Sequence, residues 1–227
     1  MTPRIISLLA IALLLPLTLP RVAADTSDDR KPAQVMSFHG AGWLERPERM
    51  EEEQPFEVIK AMGVKPGDVV ADIGCGSGFF ARKMAKVVGE KGKVYGVDIQ
   101  PEMIEILKKK CAEEGIENVI PVLSEETDPL LEPGTIDWMI LADVYHEFQL
   151  PEPMLAKMRA ALSENGKICL LEYRLLGDSA KHIKVDHRMS VPQVLKEWQA
   201  ANFELVDLQE FLPHQHLFIF QKRPDCK

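Results

Sequence analysis

Apolar positions along this chain of 227 residues fall into two rhythms. Unbroken apolar runs at 69–73, 93–98, 119–123, 136–142 and 167–172 read as strands covered on both faces, as in a parallel sheet. Between them, apolar residues recur at steps of three and four, the mark of one helix face. Phe79, Phe80, Met84, Ala85 and Val88 form one such face and end near Gly89; Met103, Ile104, Ile106, Leu107 and Cys111 form the next and close at Gly115. A third helix spans 153–162. Upstream, helical spacing covers 48–53 after Pro47, and 56–62 before Gly63. Downstream, 173–189 reads as a long loop, Ser190 caps a helix over 192–200, and strands at 203–211 and 217–220 share a link too short for anything but an antiparallel hairpin. Strand and helix alternate five times, so the fold class is α/β, a doubly wound sheet with right-handed crossovers.

The first 24 residues depart from this pattern. An apolar run over 5–19 follows Arg4, and Val22-Ala23-Ala24 supplies the small residues of a cleavage site. This is the layout of a signal peptide, predicting an exported protein, periplasmic or secreted. An uncleaved anchor that holds the chain near a membrane is the alternative, although a spanning helix needs about 20 apolar residues. Residues 25–37 are polar and read as a flexible leader, and one domain is expected over 38–227. Four cysteines, Cys75, Cys111, Cys169 and Cys226, form no CxxC pair. Cys75 and Cys169 read as free buried thiols. A formal net charge of −8 argues against nucleic acid as the main partner, because phosphate binding needs a basic face.

The candidate chemistry centres on Asp72-Ile73-Gly74-Cys75-Gly76-Ser77-Gly78, a strand end running through alternate glycines into a helix. A dinucleotide loop reads G-x-G-x-x-G, and here Phe79 stands where its third glycine would be. Asp98 ends the second strand, 20 residues after Gly78, and can accept hydrogen bonds from ribose hydroxyls. Asp72 suits a ligand that carries an ammonium group. Ligands of such sheets bind beyond the carboxyl ends of the strands, where these residues lie.

The D-x-G-x-G-x-G loop, the acid ending strand two, the acidic loop after strand three and the terminal hairpin together resemble the class I S-adenosylmethionine-dependent methyltransferases, in the group of the ubiquinone/menaquinone C-methyltransferases. The resemblance covers about residues 40–220. It implies a seven-stranded sheet, mostly parallel with the last strand antiparallel, and S-adenosyl-L-methionine as the cofactor. It also implies that Asp72, Gly74, Cys75, Gly76 and Gly78 line the methionine part, that Asp98 holds the ribose and that Ile99 packs on adenine. A residue of the loop 124–127, Glu125 by preference, would contact the adenine amine. Ala142 and Asp143 would face methyl donor and acceptor.

In-line methyl transfer draws on alignment, and needs a base only where the acceptor must lose a proton. Asp143, Tyr145 and His146 leave strand four beside the donor site and are the candidate catalytic residues. Trp43, either a lid residue or packing for the N-terminal arm, joins Tyr173, His187 and Arg188 as candidates for binding a small-molecule acceptor. Asp143, His146 and His187 could hold a cation, but no spacing matches a metal motif and no metal is expected. A non-catalytic S-adenosylmethionine-binding module and, less favoured by the glycine register, a nucleotide-dependent oxidoreductase are the competing functions.

Overall fold

The computed structural model describes residues 31–224. The apolar N-terminal run with its cleavage site, and Cys226, lie outside the described residues. Among these no helix is long and apolar enough to cross a membrane.

Seven strands form one sheet: β1 (Val69–Ile73), β2 (Lys93–Asp98), β3 (Val119–Leu123), β4 (Ile136–Ala142), β5 (Leu162–Tyr173), β6 (Phe203–Gln209) and β7 (Gln215–Lys222). Their order is β3-β2-β1-β4-β5-β7-β6. Neighbours from β3 to β5 run parallel. β7 inserts between β5 and β6 and runs antiparallel to both. Among the described residues seven α-helices accompany the sheet: α1 (Arg49–Glu52), α2 (Pro55–Met62), α3 (Phe79–Val88), α4 (Pro101–Glu114), α5 (Pro151–Ala161), α6 (Ser179–His182) and α7 (Val191–Ala200).

The continuous apolar strands have the cause inferred from the sequence. Side chains alternate across a strand, and both faces are buried. Ile140, Cys169, Leu171, Leu217 and Ile219 point to the side of α2 and α3. Met139, Leu141, Ile168, Leu170, Phe218 and Phe220 point to the side of α5 and α7. On that second side Trp198 stacks on Phe220, with ring centroids 4.4 Å apart. Cys75, Cys111 and Cys169 are free and buried.

Three local expectations are corrected. Pro55 lies inside the second helix, one residue ahead of the start expected at 56. It is the first residue of α2, entered through Gln54 at φ 41°, because proline's missing N–H costs nothing at a helix start. The segment 173–189 is not plain loop. It carries α6 and a 3-10 turn at Val185–His187, and Met189 N–H returns to Tyr173 O at 3.0 Å, so its ends are pinned together beside β5.

The third concerns the leader, where 33–37 is docked rather than free. Ala33 is fully buried, and its N–H donates to His146 O at 2.9 Å. Met36 N–H donates to Glu147 Oε1 at 3.2 Å, and Gln100 Nε2 donates to Met36 O at 2.9 Å. Further on, Glu45 accepts from Ser77 Oγ of the glycine loop and from Arg82 Nη2 of α3, each at 2.5 Å. The chain from 33 to 45 is a strap tied across the carboxyl ends of β1, β2 and β4.

Candidate functional site

Two cavities open at those strand ends, with walls in common. The first, about 1060 Å³ of empty space including its open mouth, is lined by Asp72, Gly74, Cys75, Gly76, Asp98, Ile99, Ala142 and Asp143 among others. The second, about 980 Å³, is lined by Trp43, Arg49, Glu53, His146, Tyr173 and His187 among others. Met36, Leu44, Arg49, Ala142, Asp143 and Glu147 belong to both.

In the first cavity Asp72 Oδ2 accepts from Ala81 N–H at 2.8 Å. The carboxylate thus does a cap's work on the first turn of α3, whose own N-cap is a glycine with no side chain to offer. Burial pushes the Asp72 carboxyl up to about 7. Asp98 ties strand two to the loop: Oδ2 accepts from Gly76 N–H at 2.8 Å and Oδ1 from Gln100 N–H at 2.9 Å. The Ile99 N–H also bonds this carboxylate, and a lone pair is left for a further donor. Burial raises its pKa also. Gly74 sits at φ 69°, and a Cβ there would meet Val144 Cγ2 at 2.3 Å. Cys75 lines the cavity with a thiol that burial pushes well up, so it stays neutral. Ile99, 45% exposed, forms an apolar wall. Ser124, Glu125 and Glu126 all reach the far end.

Gly78 stands apart from this set. It does not line the cavity. It is held at φ 84°, and a Cβ would strike Leu107 Cδ1 at 2.2 Å. Its bareness serves the close approach of α3 to α4, not contact with a ligand.

Asp143 sits where the two cavities meet, in the left-handed region at φ 53°. Such a backbone is costly for a residue with a Cβ, and is kept only where the surroundings enforce it. Its N–H is held by Leu171 O at 3.0 Å. Gln215 Nε2 donates to Oδ2 at 3.1 Å, whereas Oδ1 is buried without a partner. Burial, with Glu53 and Glu172 close by, pushes this carboxyl well above the usual carboxylate range.

His146 faces the second cavity. Its Nδ1 lies 2.7 Å from Glu172 Oε2, and its N–H donates to Oε1 at 3.1 Å. Glu172 is fully buried. Burial by itself would lower the imidazole pKa; the Glu172 carboxylate outweighs it and the pKa is raised. The His187 ring lies 5.1 Å from the His146 ring, centroid to centroid. Trp43, 48% exposed, covers one side of the mouth, its ring stacked under the Arg46 guanidinium at 3.7 Å. Tyr173 is buried in the same wall.

Two expected site residues are elsewhere. Tyr145 is fully buried, packed on Trp198 and Phe148, with its hydroxyl donating to Glu197 Oε2 at 2.5 Å. The turn after β4 rotates it under the sheet and leaves its neighbours, His146 and Glu147, on the cavity side. Arg188 lines neither cavity; it braces its own loop through Leu175 O at 2.6 Å.

Sequence reasoning passed over Arg49 and the strap residue Met36, and gave Glu147, within the candidate stretch 143–147, no role of its own. Arg49 is buried, joined to both oxygens of Glu53 at 2.5 and 2.7 Å, and borders both cavities. The i, i+4 spacing of Arg49 and Glu53 was legible, but nothing in it told a buried pair from a solvated one.

A family model described as a methyltransferase domain matches residues 64–213. The chain belongs to this methyltransferase family. Its group is the class I S-adenosylmethionine-dependent enzymes, and S-adenosylmethionine is the cofactor. A fibrillarin-like rRNA/tRNA 2′-O-methyltransferase of Thermococcus onnurineus is 29% identical over 72% of the chain and 71% of its own length. A ubiquinone/menaquinone biosynthesis C-methyltransferase of Cupriavidus taiwanensis is 30% identical over 52% of the chain, which spans about half of that relative, 48%. Among solved structures, an S-adenosylmethionine-dependent methyltransferase from Aquifex aeolicus superposes with a TM-score of 0.78 at 26% identity, covering 82% of this chain and 98% of that one.

The residues of the first cavity fit the cofactor by their chemistry. Acids end two adjacent strands, bare backbone lies between them, and an apolar wall continues to a polar far end. Asp72, Gly74 and Gly76 would hold the methionine part of this methyltransferase's cofactor, Asp98 the ribose and Ile99 the adenine.

Proposed function

We propose that this methyltransferase delivers the methyl group of S-adenosylmethionine to a small-molecule acceptor seated in the second cavity. The observation that carries this is Asp143: its unpartnered Oδ1 lies on the wall common to both cavities. A buried oxygen without a partner is costly, and a hydroxyl or N–H of the acceptor would satisfy it. The bound cofactor supplies an activated methyl, so the protein's task is alignment and the care of one proton. Asp143, whose raised pKa gives it basic strength, receives the proton that the acceptor loses. Trp43 and Tyr173 enclose the acceptor, and the strap excludes water from the junction.

Acidic walls support a small molecule over a nucleic acid. Glu53, Asp143 and Glu147 line the second cavity, and Arg49 there is already paired with Glu53. Beyond that pair Lys184 lines the cavity, too little positive charge to neutralise a phosphate backbone. The N-terminal apolar run supports, as part of the same proposal, an enzyme working outside the cytoplasm or anchored at its boundary; N-terminal sequencing of the native protein tests that.

The function is tested by release of S-adenosylhomocysteine in the presence of fractionated small-molecule extracts. Turnover that is lost in Asp143→Asn while S-adenosylhomocysteine still binds is the expected result. Turnover on RNA and on no small molecule would overturn it.

A further inference from the structure

His146, Glu147 and His187 come from two segments about forty positions apart, yet one ligand atom from each lies within 4.8 Å of the others. We propose that these three side chains form a binding site for a divalent transition metal ion, zinc or its chemical equivalents, in the wall of the second cavity. This rests on the second cavity being the acceptor site.

The orientation of the donors is the first argument. His146 Nδ1 is taken by Glu172 Oε2 at 2.7 Å, and His187 Nδ1 by Asp186 Oδ1 at 3.0 Å. A carboxylate there accepts the Nδ1 hydrogen and fixes the tautomer whose Nε2 carries a free lone pair. Metal-ligating histidines are held in this way by outer carboxylates, which also raise their basicity. The two imidazoles, each bonded to its own carboxylate, lie 5.1 Å apart, centroid to centroid. Glu147 is oriented too, by the Met36 N–H on Oε1.

Charge is the second argument. Glu53, Asp143 and Glu147 line the cavity and Glu172 lies directly behind His146. Against them stand Arg49, which Glu53 already neutralises, and the exposed Lys184. With Arg49 and Glu53 paired, the carboxyl groups of Asp143, Glu147 and Glu172 outnumber the cations of the wall, and a divalent ion would favour their ionised form. The set of two imidazoles and one carboxylate decides the class of ion. It suits zinc, cobalt and nickel, whereas magnesium and calcium prefer oxygen throughout. Bonds of about 2.1 Å would draw the three ligand atoms together by roughly an ångström, a movement that His187 on its short turn can supply. All three side chains line the cavity, so its contents would supply the remaining ligands. There the ion would bind an oxygen of the acceptor and lower that oxygen's pKa, with the released proton passing to Asp143. No electron transfer is involved.

The test uses the full chain, stripped of metal by dialysis against a chelator. Cobalt(II) is then titrated and followed by its visible absorption, and zinc by competition with a chromophoric chelator. Expected are one ion per chain, no competition from magnesium, a loss of affinity of about 10–100-fold in Asp186→Asn and a larger loss in His187→Ala and Glu147→Gln. S-adenosylhomocysteine binding, measured by calorimetry on Asp186→Asn and His187→Ala, neither of which lines the first cavity, should stay within about 3-fold of the parent and shows that they are folded. Absence of a stoichiometric ion, or equal affinity in parent and His187→Ala, overturns the metal site. Methyl transfer that persists at full rate in the stripped protein also overturns it and leaves the proposed function standing. An ion that binds as described in a protein that methylates no small molecule supports the metal site and removes the function instead.

Discussion

Glu172 holds His146 at two points, accepting from its backbone N–H at 3.1 Å and sharing a hydrogen with its Nδ1 at 2.7 Å. The carboxylate lies one residue before the end of β5 and the histidine sits in the 3-10 turn that follows β4, so the parallel pairing of these strands brings the two together. Glu172→Gln keeps the shape but places an amide N–H₂ against one of these donors. We expect S-adenosylhomocysteine release to fall by about 10–100-fold, with S-adenosylhomocysteine binding unchanged. A chemical denaturation curve should show a stability loss of about 1–3 kcal/mol.

Asp98 is expected to matter for binding rather than turnover. Its carboxylate positions Gly76 and Gln100 and offers its remaining lone pair to the ribose. Asp98→Ala should weaken S-adenosylmethionine binding by at least about 10-fold, the value of one lost charge-assisted hydrogen bond. Isothermal titration calorimetry checks this, and an unchanged dissociation constant would refute the assignment.

Asp72 makes both stability and cofactor binding depend on pH. Its folded pKa, about 7, lies above the roughly 3.9 of an unfolded aspartate. Between those values the folded protein holds more protons than the unfolded chain, so stability falls as pH rises, by up to about 1.4 kcal/mol per pH unit. Glu147, which burial also pushes up to about 7, acts in the same direction. The ionised form is the one that meets the cofactor's ammonium group. S-adenosylhomocysteine affinity should therefore rise through about pH 7 with release of a proton, and Asp72→Asn should flatten the profile. Titration in buffers of different ionisation enthalpy reads both.

Gly78 should behave as a packing residue. Gly78→Ala adds a Cβ at φ 84° against Leu107. A loss of stability of about 1–3 kcal/mol is expected, measured by the denaturant midpoint. The folded variant should bind S-adenosylhomocysteine as the parent does, since the residue is not part of the cavity wall.

Tyr145→Phe separates the core from the site. The hydroxyl bonded to Glu197 lies beneath the sheet, so stability should drop by about 1 kcal/mol while methyl transfer stays within about 2-fold. A selective loss of turnover with normal stability would return Tyr145 to the active site.

Much of the cofactor side was legible in the chain. The loop from Asp72 to Gly76 and the acid at Asp98 are local features of two adjacent strand ends, and strand ends meet wherever a parallel sheet forms. The unbroken apolar runs announced that sheet because both faces are buried. The antiparallel hairpin followed from the brevity of its link.

Only the tertiary structure decided the rest, since it depends on contacts between distant segments. Tyr145 and His146 are neighbours in sequence, and one turn of backbone sends the first into the core and the second into a cavity. The stretch 33–37 is too short to show a periodicity, and is held by bonds to Gln100, His146 and Glu147. Gly78 could not be told from Gly74 and Gly76 until Leu107 lay against it. His146, Glu147 and His187 match no metal spacing along the chain because their nearness is made by the return of the 173–189 segment to the end of β5, with Glu172 and Asp186 turning each ring. Sequence determines which surfaces must be buried and which strand ends must meet; the direction of a side chain at a turn is settled by what packs against it.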